Sequence, residues 1–164
     1  MNTSTQPSEI DLRHLRRCIA LAGEARAEGQ HPFGSLIADA NGTVLAVGKN
    51  QARPPEGDPT RHAEMVAVSH AARKYSPQQL AGATLYTSTE PCCMCAGAIY
   101  WAGIGRIVYA LSEHGLFRMT GANPENPTLS LPCREVFARG QRSVEIIAPL
   151  LEDEAAKPHE GFWG

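Results

Sequence analysis

Apolar side chains follow two different periods along this chain, and each period predicts a type of element. Residues 9–28 repeat apolar side chains at helical spacing, and Ser8 can cap the start of this helix. Two apolar runs, Phe33 to Ala40 and Thr43 to Gly48, then flank the Asn-Gly pair at 41–42. Because Asn-Gly favours a tight turn between two strands, this stretch is predicted to be a β-hairpin.

Helical and strand-like segments alternate after the hairpin. Helices are expected at about 61–74, 92–102, 132–139 and 150–157, and strands at 83–88, 106–110 and 143–148. Residues 49–60 and 111–131 contain Gly, Pro and polar residues and are expected to be loops. A hairpin followed by strand–helix alternation predicts one domain over residues 1–164, a three-layer α/β/α sandwich with a mixed five-stranded sheet.

The composition is that of a folded protein without a membrane span. Apolar residues make up 43% of the chain, and no run approaches the roughly 18 apolar residues of a membrane helix. The N-terminal stretch from Met1 to Glu9 lacks the apolar segment of a secretory signal, so we expect a cytoplasmic protein. The predicted core consists of Leu12, Leu15, Ile19, Leu36, Ile37, Val44, Val66, Leu85, Ile99, Ile107, Val108, Val144 and Ile146.

Charge and cysteine content argue against two further classes of protein. With 15 basic and 17 acidic residues, the chain lacks the basic footprint of a general nucleic-acid binder, so no nucleic-acid partner is expected. Five cysteines is an odd number, and three of them lie within residues 92–95. A disulfide framework would instead spread an even number along the chain.

One His, one Glu and two Cys stand where they can build a metal site. His62 and Glu64 lie at the predicted start of one helix, and Cys92 and Cys95 at the start of another. Cysteines three positions apart project from one helix face, and a helix N-terminus stabilises thiolates, the metal-binding form. One His and two Cys leave the fourth tetrahedral position open, as catalytic zinc sites do.

Two other interpretations of these residues stay open. A Cys-x-x-Cys pair by itself can be a redox motif, although such motifs need no upstream His-x-Glu. Alternatively, Cys18 or Cys133 would supply a fourth ligand and make the zinc site structural, if the fold brings either of them close.

His-x-Glu followed by Pro-Cys-x-x-Cys resembles the signature of zinc-dependent base deaminases. The chain is most similar to the branch of the cytidine and deoxycytidylate deaminase superfamily that contains guanine deaminases and tRNA adenosine deaminases. The similarity extends over about residues 10–112 and is weak beyond them. The motifs that carry it are Pro32-Phe33-Gly34, Gly48-x-Asn50, Asp58-Pro59-Thr60-x-His62-Ala63-Glu64 and Thr87-x-x-Glu90-Pro91-Cys92-x-Met94-Cys95-x-Gly97-Ala98-Ile99.

The resemblance implies a cytidine deaminase-like fold and a role for the matching residues. His62, Cys92 and Cys95 would hold one Zn²⁺ per chain. Glu64 would move protons during the reaction and would not be a metal ligand. Relatives form dimers that pack their zinc-bearing helices together, so a homodimer is expected.

The resemblance also implies contacts with a small-molecule substrate. Asn50 would hydrogen-bond the base, Trp101 and Phe33 would flank it, and the backbone N–H of Ala63 would help to orient it. Phe33 has the alternative role of an ordinary core residue. Guanine deaminases carry an Asp pair after the fourth strand, and Glu113 is the nearest carboxylate here that could accept a ring N–H; a solvated loop acid is its alternative.

The implied function is hydrolytic deamination of an aminated nucleobase or nucleoside, with release of ammonia. Because Pro32-Phe33-Gly34 is similar to guanine deaminases, guanine is the favoured substrate. The alternatives are adenosine in the anticodon loop of a tRNA, cytosine or cytidine, and a zinc or redox module without catalysis. The C-terminal Phe162-Trp163 pair is expected either to close a small pocket or to pack on the core.

Overall fold

The computed structural model describes residues 6–164, so Met1–Thr5 of the polar N-terminal stretch lie outside the described residues. The strands are β1 (Gly34–Ala38), β2 (Val44–Lys49), β3 (Thr84–Thr89), β4 (Arg106–Leu111) and β5 (Glu145–Ile147). The helices are α1 (Glu9–Ala27), α2 (Ala63–Ala72), α3 (Pro77–Leu80), α4 (Cys93–Trp101), α5 (Glu113–Thr120), α6 (Cys133–Ala138) and α7 (Glu152–Ala156), with a 3₁₀ turn at Lys157–His159.

The five strands form one mixed sheet in the order β2-β1-β3-β4-β5. Strand β1 is antiparallel to both β2 and β3, whereas β3, β4 and β5 are parallel to one another. Parallel strands need crossover connections, which α4 supplies between β3 and β4. The carboxyl ends of β3 and β4 therefore meet at one edge of the sheet, where α4 and α5 begin.

Side chains alternate between the two faces of the sheet, and helices cover both faces, which confirms the three-layer prediction. One face packs against α1 and α7 through Leu36, Ala38, Tyr86, Val108 and Ala110. The other face packs against α2, α4 and α6 through Ile37, Ala46, Leu85, Ile107 and Tyr109. Among the described residues, no helix is long and apolar enough to cross a membrane.

Helix α1 is anchored to the sheet by a buried acid. Ser8 and Asp11 form the predicted capping box, and Asp11 is also almost fully buried. Its carboxylate accepts hydrogen bonds from Arg106 at 2.7 Å and from the Tyr86 hydroxyl at 2.8 Å. Burial alone would raise the pKa of Asp11, but the hydrogen bonds from Arg106, Ser8 and Tyr86 lower it well below its usual value.

The predicted hairpin is present, but its turn is longer than an Asn-Gly pair. Residues 39–43 connect the strands, and the carboxylate of Asp39 accepts the backbone N–H groups of Asn41 and Thr43. The placement of Val44 in the core is wrong, because β2 is an edge strand and Val44 is 44% exposed there. The core predictions Leu12, Ile19, Val144 and Ile146 are only half-buried.

The expectation of a loop over 111–131 is wrong for its first part, which forms α5. The helix is short and contains Gly115, so its sequence carries little helical signal. Its start is fixed instead by hydrogen bonds. Ser112 caps the helix by accepting the N–H of Gly115, and the Glu90 carboxylate accepts the N–H of Glu113 at 2.9 Å.

Gly48 lets helix α2 approach the sheet closely. A Cβ atom at this position would overlap the Ala63 carbonyl group and would lie 2.7 Å from the Ala67 backbone nitrogen. Both obstacles are backbone atoms of the first turns of α2, which a side-chain rotation cannot remove. Only glycine therefore permits this separation between β2 and the helix.

Replacing Gly48 by Ala is expected to destabilise the protein by roughly 1–3 kcal/mol, since α2 must move outward. Urea unfolding followed by circular dichroism measures this change. Gly23→Ala in α1 is the matched control, because no atom lies within 4 Å of its added Cβ, and it is expected to be neutral or stabilising. An unchanged unfolding midpoint for Gly48→Ala would contradict the close-approach argument.

Candidate active site

Two helix starts meet beside the carboxyl end of β3 and bring the sequence-predicted ligands together. His62 immediately precedes α2, and Cys92 immediately precedes α4, whose first turn carries Cys95. Neither His62 nor Cys92 uses its side chain to cap its helix. These side chains therefore remain free for a ligand, and the packing of α2 against α4 sets the distance between them.

The three ligand atoms are spaced as the corners of a tetrahedral zinc site. The Cys92 and Cys95 sulfur atoms are 3.6 Å apart, and His62 Nδ1 lies 3.5 Å from the first and 3.6 Å from the second. Zinc bonds of about 2.3 Å to sulfur and about 2.0 Å to nitrogen require edges of about 3.8 Å and about 3.6 Å in a regular tetrahedron. The donor set and its spacing fit Zn²⁺.

No fourth protein ligand completes this group. Within residues 6–164, His62, Cys92 and Cys95 are the one set of three or more His, Cys, Asp or Glu side chains close enough to hold a metal ion. Cys18 and Cys133 are buried in other parts of the core, so the structural-zinc alternative lacks its ligand. A position is left for a water or a substrate, as in catalytic sites.

The contacts inside the ligand group already favour a thiolate. Hydrogen bonding from Cys95, supported by His62, lowers the pKa of Cys92 to about 4. The contact with Cys92 also raises the pKa of His62, while that contact together with burial raises the pKa of Cys95 well above its usual value. The group therefore favours a thiolate at Cys92, the form that binds a metal ion.

Glu64 lies beside the ligand group and is fixed by β3. The side chain is buried, and its Oε1 accepts a hydrogen bond of 2.9 Å from the Thr87 hydroxyl. Its other oxygen, Oε2, is 3.7 Å from the Cys95 sulfur. Burial raises the pKa of Glu64, although the nearby His62 opposes this effect. A carboxyl group next to a metal site can accept a proton in one step and return it in another.

A pocket of about 360 Å³ opens above these groups. Several residues singled out from the sequence line it, namely Phe33, Asn50, His62, Glu64, Cys92 and Glu113. Ala63 is fully buried behind the pocket wall, between His62 and Glu64. Trp101 does not reach the pocket; it ends α4 and is 83% exposed. A base bound in this pocket would therefore lack the expected contact with Trp101 of the same chain.

The orientation of the Asn50 amide follows from its backbone contact. Asn50 is almost fully buried, and its Oδ1 accepts the N–H of Ala52 at 3.0 Å. Because a backbone N–H can bond only to the oxygen, the NH₂ group of Asn50 is the end that remains for a ligand. Asn50 thus offers a hydrogen-bond donor to the pocket.

Glu113 supplies a second carboxylate to the pocket wall. Burial raises its pKa to about 7, and the neighbouring charges of Glu90 and Cys92 contribute to the shift. Glu90 itself accepts the backbone N–H groups of Glu113 and Cys133, at the starts of α5 and α6. This anchoring role of Glu90 was not predicted, because it depends on two segments that are distant in the sequence.

The outer wall of the pocket comes from the segment after α5. Residues 125–129 line it, and the Glu125 carboxylate bonds to His31 at 3.0 Å and to Arg53 at 2.6 Å. The C-terminal Trp163 is buried against the rings of His31 and Phe33 of its own chain. It supports the pocket wall from behind and does not line the cavity.

Comparisons with known proteins agree with this geometry. Residues 8–111 match the model of the cytidine and deoxycytidylate deaminase zinc-binding region. A probable cytosine deaminase of Schizosaccharomyces pombe is 44% identical over 161 residues, which cover 98% of this chain and 97% of that protein. Guanine deaminase of Bacillus subtilis is 43% identical over 101 residues, 61% of this chain and 63% of that enzyme.

A solved structure from studies of A-to-I editing by tRNA:A34 deaminases superposes with a TM-score of 0.69 at 25% identity, covering 90% of this chain and 99% of the other. The fold of this chain is therefore cytidine deaminase-like. The matched family region contains every residue of the ligand group together with Glu64. The chain is a member of the zinc-binding cytidine and deoxycytidylate deaminase family, whose enzymes hydrolyse C–N bonds of nucleobases or nucleosides.

Proposed function

We propose that this protein deaminates a free aminated nucleobase by hydrolysis and releases ammonia. One observation carries the proposal: a buried carboxylate, Glu64, stands beside the tetrahedrally spaced ligand group at the floor of a pocket of about 360 Å³. That volume lies within the roughly 300–1,000 Å³ typical of small-molecule sites.

His62, Cys92 and Cys95 would hold the zinc ion. When bound, Zn²⁺ lowers the pKa of a coordinated water to about 7 and so provides a nucleophile at neutral pH. Two thiolates and one imidazole are a donor set suited to this ion. Zinc stoichiometry of one ion per chain follows from the single ligand group within residues 6–164.

Glu64 would carry the protons of the reaction. A carboxylate oxygen takes a proton from water and delivers it to a ring nitrogen, which makes the amine-bearing carbon electrophilic. The carboxylate then takes the second proton of the added water and gives it to the departing amine, so that water and the amino base become an oxo base and ammonia. The bond from Thr87 holds Oε1 and leaves Oε2 facing the ligand group.

The pocket walls would bind and orient the base. Asn50 donates through its NH₂ group, the Phe33 ring packs against the base, and Glu113 accepts a ring N–H. These three contacts would fix both the plane of the ring and its rotation within that plane. Ala63 does not line the pocket, so the contact expected from its backbone N–H stays a prediction.

Similarity to the relatives supports cytosine as the substrate first and guanine second. The Schizosaccharomyces pombe relative matches nearly the whole chain, including residues 113–129, which contribute Glu113 and the outer pocket wall. The guanine deaminase match covers 61% of the chain.

Adenosine in a tRNA loop is supported less well. The chain carries 15 basic and 17 acidic residues, and the outer pocket wall contributes the acid Glu125. A near-balanced charge supplies little of the phosphate neutralisation on which binding to an RNA backbone depends. Homodimer formation and a cytoplasmic location stay predictions; the exposed Trp101 at the end of α4 is suited to an interface between two copies.

Removing a ligand sulfur is expected to remove the metal. Cys92→Ala and Cys95→Ala should each lose zinc and activity together, measured by metal analysis and ammonia release. Cys93→Ala is the matched control, since Cys93 is adjacent in sequence but lies outside the ligand group, and it should keep zinc. Loss of zinc in Cys93→Ala but not in Cys92→Ala would overturn the assignment.

Glu64→Gln keeps the size of the side chain but cannot transfer protons. We expect turnover to fall by about 10²–10⁴-fold, the usual contribution of general acid–base catalysis, with the zinc content unchanged. Steady-state ammonia release and metal analysis on the same preparation measure both quantities. Turnover near that of the wild type would rule out the proton-transfer role.

Ammonia release identifies the substrate. We expect release from cytosine, then from guanine, and none from adenosine in an anticodon stem-loop. The screen should include cytidine, guanosine and adenine, because the relatives act on different bases. Inosine formation in the stem-loop, without ammonia from any free base, would refute the proposed substrate class.

A further inference from the structure

The hydroxyl group of Thr89 is a buried polar group without a partner. Thr89 is 3% exposed, and its Oγ1 makes no hydrogen bond within residues 6–164. The other such atom in the described part of the chain, Nε2 of His159, belongs to a ring that does not line the pocket. Because an unpaired buried hydroxyl destabilises the fold, its presence in a pocket wall indicates a partner that the ligand supplies.

The strand geometry directs Thr89 towards the reaction site. Alternate residues of a strand share one face, so Thr87 and Thr89 point to the same side of β3. The Thr87 hydroxyl reaches Glu64 at 2.9 Å, which places this face towards the ligand group. Thr89 is two positions nearer the carboxyl end of β3 and lines the pocket together with Glu64 and Glu113.

The hydrogen-bonding capacity of these neighbours defines what Thr89 can recognise. In its ionised form the Glu113 carboxylate only accepts hydrogen bonds, and that form suits a ring N–H. A hydroxyl can donate, so Thr89 suits a carbonyl oxygen. An N–H beside a C=O is the lactam edge that cytosine and guanine carry as free bases and that adenine lacks.

We propose that Thr89 donates a hydrogen bond to a ring carbonyl oxygen of the substrate while Glu113 accepts the adjacent ring N–H. The pair thus selects aminated bases that have a lactam edge. This inference rests on the proposed function and names the feature of the base that the site reads. A base without the carbonyl leaves the buried hydroxyl unpaired, which disfavours its binding.

Two pairs of ligands isolate the carbonyl contact. Cytosine is compared with 4-aminopyrimidine, and guanine with 2-aminopurine, which lack the oxo group. Dissociation constants are measured by calorimetry on zinc-loaded protein in the Glu64→Gln background, so that no ligand is consumed. Loss of the oxo group also removes a ring N–H. Because the parent protein and the Thr89 variant both lose the contact with that N–H, the difference between their preferences for the oxo ligand reports on Thr89.

Thr89→Val removes the hydroxyl at nearly constant volume. We expect it to reduce the preference for the oxo ligand by about three- to tenfold, the value of one neutral hydrogen bond. It should also raise the melting temperature of the free protein, because the unpaired hydroxyl is gone. Thr89→Ser should keep the wild-type preference. A merely structural hydroxyl would show the opposite pattern, a lower melting temperature with an unchanged preference.

Thr84→Val is the matched control, since Thr84 is a buried threonine of the same strand that does not line the pocket. Its ligand preference should equal that of the parent protein. If the wild-type enzyme releases ammonia from a free base but Thr89→Val leaves the preference for the oxo ligand unchanged, this inference is overturned and the proposed function stands. Absence of both base binding and ammonia release in the wild type would overturn the proposed function, and this inference with it.

Discussion

The chemistry of this protein depends on holding the first turns of α2 and α4 together at the carboxyl end of β3. Three ligand atoms must stay 3.5–3.6 Å apart although they come from two helices. Helix α2 is set by its close approach to β2 over Gly48, and α4 follows β3 directly after Pro91. Both constraints act through backbone atoms and set the separation of the two helix starts.

Glu90 connects the segment that carries the ligand Cys92 to part of the pocket wall. Its carboxylate lies between the backbone N–H groups of Glu113 and Cys133, where the helix starts favour a negative charge. The residue two positions before the ligand Cys92 therefore also positions α5 and α6. Any displacement of Glu90 would move Glu113 relative to the metal site. Such a displacement would affect the binding of a base and its reaction together.

Part of the pocket wall lies outside the segment that carries the ligand group. The family match ends at residue 111, whereas Glu113 and residues 125–129 line the pocket beyond it. No residue from 121 to 132 is buried, and the ion pairs of Glu125 with His31 and Arg53 attach this segment to the opposite wall. Such a segment can change in sequence without loss of the core.

The sequence by itself determined the order of the main elements, the mixed sheet and the ligand group. These features rest on short-range signals: apolar periodicity, the Ser8 capping box, and the spacing of His62, Cys92 and Cys95. Each signal lies within one or two segments and does not depend on how the segments pack together.

Only the tertiary structure decided which residues form the substrate walls. The start of helix α5 is held by its own Ser112 and by the carboxylate of Glu90, which comes from another segment. Trp101 lies outside the pocket and Thr89 lies within it, although sequence spacing distinguished neither. A pocket wall is a set of long-range contacts, and the pattern of a single segment does not encode which distant segment will face it.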